Sequence, residues 1–180
     1  ELSIPESVNK IANLCFSKCS NLTHIELPSA VEEIPKSTFE GCSNLETVQI
    51  SPNTRLIDSS AFSGNTKLKE LKSSASDEDG VITIPASVAN LGESTFEGCK
   101  AITKIQINTS LYSLPNKIFY NCTSLTSVAF PDGLASIGES AFYYCSSLKD
   151  IIIIIINYII RINIKYSNIV YNFSITIKIR

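Results

Sequence analysis

The chain is 180 residues long and 44% apolar, with six cysteines and neither methionine nor tryptophan. That length sets one ordinary domain as the expectation, and a net charge of only −2 excludes a general affinity for nucleic acid. The charge is uneven, because all 17 acidic residues and 11 of the 15 basic ones precede Ile151. The chain opens at Glu1 rather than methionine and reads as a fragment or a processed chain, in which a signal peptide would not be visible.

Going along the chain, one hexapeptide returns. Ser37-Thr38-Phe39-Glu40-Gly41-Cys42 recurs as Ser94-Thr95-Phe96-Glu97-Gly98-Cys99, with weaker copies around Phe16, Phe62, Phe119 and Phe142. The steps between these phenylalanines are 23, 23, 34, 23 and 23 residues, and the long step is one period plus an 11-residue insertion. Self-similarity at a fixed period of this size marks a solenoid or array.

Aligned on the phenylalanine, apolar columns appear. Ile11, Ile34, Ile57, Leu91, Leu114 and Ile137 stand five residues before it, and Leu22, Leu45, Leu68, Ile102, Leu125 and Leu148 six after it. Nine after it come Ile25, Val48, Leu71, Ile105, Val128 and Ile151. Alternation across Ile25-Glu26-Leu27 predicts a very short strand with two inward residues, and Pro28 ends its ladder. The stretch from Pro28 to Ile34 suits an irregular or 3₁₀-like return. Thr38 to Cys42 suits one helical turn or a tight bend, and no window is long enough for an independent helix. A unit of this size cannot bury its own apolar side, but stacked on its neighbours it can. The expectation is an α/β, β-rich right-handed solenoid of about six 23-residue coils with one parallel sheet of short strands.

The boundaries follow. Residues 1–153 form the solenoid, interrupted by a solvated Ser- and Asp-rich loop at about 72–82. Residues 154–180 are a tail. Of residues 151–180, fourteen are isoleucine, and none is Gly, Pro, Cys or acidic. The longest charge-free apolar run there, Ile151 to Ile160, is about half of a membrane-spanning helix. Ile162 to Tyr166 and Ile175 to Arg180 alternate like strands. Two readings stay open: the tail caps the open end of the solenoid, or it is a non-native reading frame from AT-rich DNA. Either way it is β-prone and hazardous for aggregation.

The pattern L-x-x-I-x-L-P-x-x-V-x-x-I-x-x-x-x-F-x-x-C resembles the BspA-like (Treponema pallidum-type) leucine-rich repeats, over residues 2–153. Coil three departs from it with Asn65 in place of the cysteine and Arg55 near a usually apolar turn. The resemblance implies a leucine-rich-repeat horseshoe without catalytic activity. It further implies a cell-surface or secreted antigen that mediates adhesion to host or extracellular-matrix proteins.

The residues themselves give few chemical sites. Cys19, Cys42, Cys99, Cys122 and Cys145 fall three residues after a repeat phenylalanine and read as stacked, buried, free thiols. His24, the only histidine, falls on the outward side of a strand with no acid placed to orient it, and reads as a surface residue rather than a base. No Gly-rich phosphate loop or zinc spacing is present, and Asp77-Glu78-Asp79-Gly80 lacks the downstream ligands of a calcium loop. No cofactor and no metal are therefore expected.

The candidate binding surface is the outward face of the sheet, concave in a leucine-rich solenoid. It carries His24, Glu26, Thr47, Gln49, Glu70, Lys104, Gln106, Ser127 and Asp150, flanked by Ser3, Ala129 and Ile152. Its polar, mixed character fits protein partners rather than a greasy ligand or nucleic acid. N-glycosylation sequons stand at Asn21, Asn108, Asn121 and Asn172. An intracellular scaffold in the cytoplasm and a degenerate gene fragment remain as alternatives, and membrane association requires an anchor outside this chain.

Overall fold

The structure, a computed structural model, describes residues 2–148, 150–155, 158–163 and 175–176, the last three ranges by backbone. Fourteen strands follow in order: β1 His24–Glu26, β2 Glu33–Ile34, β3 Thr47–Gln49, β4 Leu56–Ile57, β5 Glu70–Lys72, β6 Ile82–Ile84 and β7 Asn90–Leu91, then β8 Lys104–Ile107, β9 Ser113–Leu114, β10 Ser127–Ala129, β11 Ser136–Ile137, β12 Asp150–Ile155, β13 Tyr158–Asn163 and β14 Ile175–Thr176. Among the described residues there is no helix, so the expected α/β, β-rich solenoid is all β. The hexapeptides around each phenylalanine are tight turns.

The main sheet is parallel, in the order β1-β3-β5-β6-β8-β10. Its register follows the repeat: Ile25 faces Val48, Val48 faces Leu71, and Val128 faces Ile105. The expected irregular return after the proline is partly regular, since Ile34 lies in a second parallel ladder, β2-β4-β7. A third ladder, β9-β11-β14, holds Leu114 and Ile137. β12 and β13 form an antiparallel hairpin, and β14 pairs antiparallel with β11.

Stacking produces the core that one coil lacks. Phe39, Phe62, Phe96 and Phe119 are fully buried, and the six repeat phenylalanines stack with ring centroids 5.3–5.7 Å apart. Ile25, Leu45, Leu68, Leu71 and Ile82 are equally buried on the sheet side. Backbone bonds reinforce the stack: Phe39 N donates to Ala61 O at 2.8 Å and Phe62 N to Thr95 O at 2.9 Å. Each coil bends twice through left-handed backbone, two residues before and two after the phenylalanine: Ser37 at φ 55° and Gly41 at 72°, Ser94 at 55° and Gly98 at 72°. Glycine adopts this conformation without the cost that a Cβ imposes. Lys18, Asn121 and Tyr144 adopt it in the copies without glycine.

The insertion is part loop and part strand. Lys72 and Ile82, the two ends of the expected loop at about 72–82, are strand residues, and Ile82, Thr83 and Ile84 are buried. Val81-Ile82-Thr83-Ile84-Pro85 repeats the I-x-L-P pattern of Ile25 to Pro28, and it adds a strand between β5 and β8. Phe62 and Phe96 still stack one step apart at 5.4 Å. The sheet advances two strand spacings over the same step, about 10 Å. The extra strand therefore opens the sheet side by one strand width at mid-solenoid.

Candidate functional site

Two rows of side chains run across the outward face of the main sheet. Parallel register places His24, Thr47 and Glu70 in one row, and Glu26, Gln49 and Lys72 in the other. Lys104 and Ser127 belong to the first row beyond β6, while Thr83, Gln106 and Ala129 belong to the second. His24 Nδ1 lies 2.6 Å from Thr47 Oγ1, a surface contact between neighbouring strands. Glu26, Gln106, Ser127 and Ala129 are exposed, and Gln106 Nε2 donates to Asn108 Oδ1 at 2.9 Å. Asp150 lies in β12, and its side chain is outside the described residues, as is all of Asn172.

The middle of this face is covered. A nine-residue link, 73–81, joins parallel strands β5 and β6. The core side is filled by Leu71 and Ile82, so the link returns over the outward side. There Glu78 Oε1 lies 3.1 Å from Lys104 Nζ, Asp79 pairs with Lys72 Nζ, and Gly80 N donates to Glu70 Oε2 at 2.8 Å. Asp77 Oδ2 accepts from Ser73 N at 2.8 Å and Ser74 N at 3.0 Å, folding the start of the link on itself. The bond from Lys72 holds the Asp79 carboxyl below its usual range, and the same bond raises the Lys72 ammonium. Thr83 is buried, and its hydroxyl has no partner among the described residues. Leaving a buried hydroxyl unpaired costs about 1–3 kcal/mol.

The candidate residues therefore fall into three groups. His24, Glu26, Thr47 and Gln49 lie open on one side of the link. Gln106 and Ser127 lie open on the other, and Glu70 and Lys104 are tied to the link. Lys72 and Thr83 belong to the same face and were missing from the sequence reading. The expected loop at about 72–82 takes in Lys72, and Thr83 lies one residue beyond its end. The signal for Thr83 was Pro85, at the position of Pro28.

The thiols need one correction. Cys42, Cys99, Cys122 and Cys145 are buried and free, but Cys19 is exposed and free, as is Cys15. Among the described residues no coil lies on the outer side of the first, so its cysteine has nothing to cover it. Each buried thiol donates to the phenylalanine carbonyl of the preceding coil, at 2.9–3.2 Å. Burial pushes Cys42 up to about 11 and Cys145 to about 12, and Cys99 and Cys122 further. Asn65, in the cysteine column of coil three, is buried with neither side-chain polar atom paired among the described residues.

The sequons differ in setting. Asn21 and Asn108 are exposed, and Asn121 is half-buried with φ 59°. In the Asn108 sequon the hydroxyl residue, Ser110, is exposed, while the middle residue, Thr109, is buried and donates to Val88 O. A half-exposed tyrosine cluster escaped the sequence reading: Tyr120 stacks on Tyr143 at 5.3 Å, and Tyr143 meets the exposed Tyr144 edge-on at 4.2 Å. These residues follow the phenylalanine of the last two coils, on a turn the period did not mark as a surface. Among the described residues no His, Cys, Asp or Glu cluster could hold a metal ion, and no helix is long and apolar enough to cross a membrane.

Comparison with known proteins agrees with this architecture. The family described as BspA type Leucine rich repeat region, in six copies, matches residues 1–79 and 80–179. No curated protein matches. A leucine-rich repeat protein from Bacteroides ovatus is similar at 29% identity and a TM-score of 0.60, over 78% of this chain and 40% of that one. The chain thus spans about two fifths of that protein's length. The T. pallidum leucine-rich repeat protein aligns at 21% identity and a TM-score of 0.60, over 81% of this chain and 76% of that one. The pneumococcal vaccine antigen PcpA aligns at 22% identity and a TM-score of 0.55, over 72% of this chain and 34% of that one. With a family pattern that runs through both halves and a coil that stacks as the pattern requires, the chain belongs to the BspA-type leucine-rich-repeat family.

Proposed function

We propose that this chain is a non-enzymatic protein–protein interaction module that binds its partner through the outward face of the main sheet. The observation that carries the reading is the pair of side-chain rows in strand register from β1 to β10. They give many modest polar contacts on a rigid scaffold, the mode in which solenoids use extended surfaces. Leucine-rich-repeat membership supports interaction as the role. The family resemblance supports a cell-surface or secreted adhesin, with host or extracellular-matrix proteins as the partner class. The test is binding of the chain to immobilised extracellular-matrix proteins, with Glu26→Ala, Gln49→Ala and Gln106→Ala combined. The reading expects binding by the wild type and its loss in the variant at unchanged fold. Equal binding by both would sink it.

A second reading, an intracellular scaffold using the same face, is favoured by one observation: all six cysteines are free thiols, with no disulfide among the described residues. Such thiols persist where glutathione and thioredoxin keep them reduced. A glycan on Asn21 in chain isolated from its native source supports the surface reading. Reduced Cys15 and Cys19 without a glycan support the scaffold.

A further inference from the structure

We infer that the outward sheet face is built to take an acidic peptide segment across Lys72, Thr83 and Lys104, and that residues 73–80 occupy that place as a displaceable strap. The inference rests on the reading that this face binds a protein partner, and it gives that partner its charge.

Lys72 and Lys104 are the two lysines of the rows, on β5 and β8, with β6 between them. They stand in opposite rows, two strand spacings apart and two residues apart along the strand, about 12 Å in all. Both are engaged from within the chain by a segment that has three acids and no cation, Asp77, Glu78 and Asp79. The Lys72 side chain is only 16% exposed against 90% for Asp79, while Lys104 and Glu78 both stand open, at 54% and 61%. The acids therefore lie on the face as a ligand would, without being enclosed by it.

Thr83 gives the independent observation. It stands in the row between Lys72 and Gln106, 2% exposed, and its hydroxyl has no partner among the described residues. No residue of the strap bonds to this hydroxyl. A segment that lays a carboxylate or carbonyl oxygen between the two lysines satisfies Thr83 as well. The strap also holds on by few bonds: the two ion pairs and the bond from Gly80 N to Glu70. Its remaining polar contacts, Asp77 to Ser73 and Ser74, are internal, so it can leave as a unit. Exposed ion pairs are weak and salt-sensitive, which suits a segment that gives way. Its advantage over an incoming acidic segment is its effective concentration, because it is part of the same chain.

The test uses a fluorescently labelled synthetic peptide with the sequence of residues 73–80, added to the full chain and to the chain carrying Glu78→Gln and Asp79→Asn. The account expects the variant to bind the peptide roughly tenfold more tightly than the wild type, since its strap no longer competes. In the variant background, Lys72→Ala or Lys104→Ala removes that binding, and so does raising salt to about 0.5 M. Circular dichroism confirms that each variant keeps its fold. Equal affinity of variant and wild type, no binding to either, or indifference to both lysines overturns the strap. If Glu26→Ala with Gln49→Ala still abolishes partner binding, the face stands and the strap alone falls. If neither set changes partner binding, the face falls too.

Discussion

Lys104 Nζ stands 3.1 Å from Glu78 Oε1, and this ion pair ties a strand of the regular repeat to the insertion that interrupts it. With the Lys72–Asp79 pair and the Gly80–Glu70 bond it divides the outward face into two open parts.

The division depends on pH. Asp79 is held below its ordinary 3.8 by the bond from Lys72, so its contribution to closure is complete above that value and is lost as pH falls through the lowered one. Lys72 is raised above its ordinary 10.5, so its contribution is complete below that value and is lost as pH rises through the raised one. The strap is therefore closed across neutral pH and opens in acid. Amide exchange at Gly80, normalised to its intrinsic rate, checks this. Protection is expected to hold from about pH 5 to about pH 8 and to begin to fall only once the pH is taken below the ordinary 3.8 of Asp79.

Thiol chemistry tests the stack. Only thiolate reacts readily, and Cys42, Cys99, Cys122 and Cys145 are buried with raised values, while Cys15 and Cys19 are exposed. Alkylation of the native chain at mildly alkaline pH, followed by peptide mass spectrometry, is expected to label Cys15 and Cys19 quickly and the other four only after denaturation.

Asn65 interrupts the thiol column with an unpaired amide at zero exposure. Asn65→Cys restores a side chain of similar size that can donate to the Phe39 carbonyl, as Cys99 does to Phe62. A gain of about 1–2 kcal/mol is expected from removing the unpaired group, read as a higher midpoint in urea with unchanged slope.

The seam at the extra strand is the sensitive point of packing. A Cβ on Gly92 would lie 2.1 Å from Ser59 N, backbone that cannot swing aside. Gly92→Ala is expected to destabilise by about 3 kcal/mol, and Phe96→Ala, which empties a buried ring between two stacked rings, by roughly 3–5 kcal/mol. Because each coil touches only its neighbours, both changes are expected to split denaturant unfolding into two steps, one for each half. A single unchanged transition would show that the halves do not meet there.

Much of the fold was legible because it is repeated. Phe39, Leu45, Val48 and Ile34 keep their spacing in each coil, and spacing is what stacking needs. The return strands at Ile34 and Ile57 were not legible, since two residues carry no alternation. Nor were the left-handed serines, Ser37 and Ser94, whose backbone is imposed by the turn rather than by their own preference. Cys19 shares its column with buried thiols, but its exposure is decided by the absence of a neighbour among the described residues. The strap was the hardest part of the site to read. Lys72 and Lys104 lie 7 and 26 residues from the acids they meet, and no local pattern links them. β6 alone had a signal, the proline that closes Val81 to Pro85.

The measurement closest to the central claim compares four chains for binding to immobilised extracellular-matrix proteins and to intact host cells. They are the wild type, the outward-face variant Glu26→Ala/Gln49→Ala/Lys104→Ala/Gln106→Ala, the strap variant Glu78→Gln/Asp79→Asn, and the tyrosine-patch variant Tyr120→Ala/Tyr144→Ala. The account predicts binding by the wild type, at least roughly tenfold weaker binding by the face variant, and no loss in the strap and tyrosine variants. Binding that survives in the face variant and disappears in the tyrosine variant would contradict it, as would a wild-type chain that binds none of these surfaces.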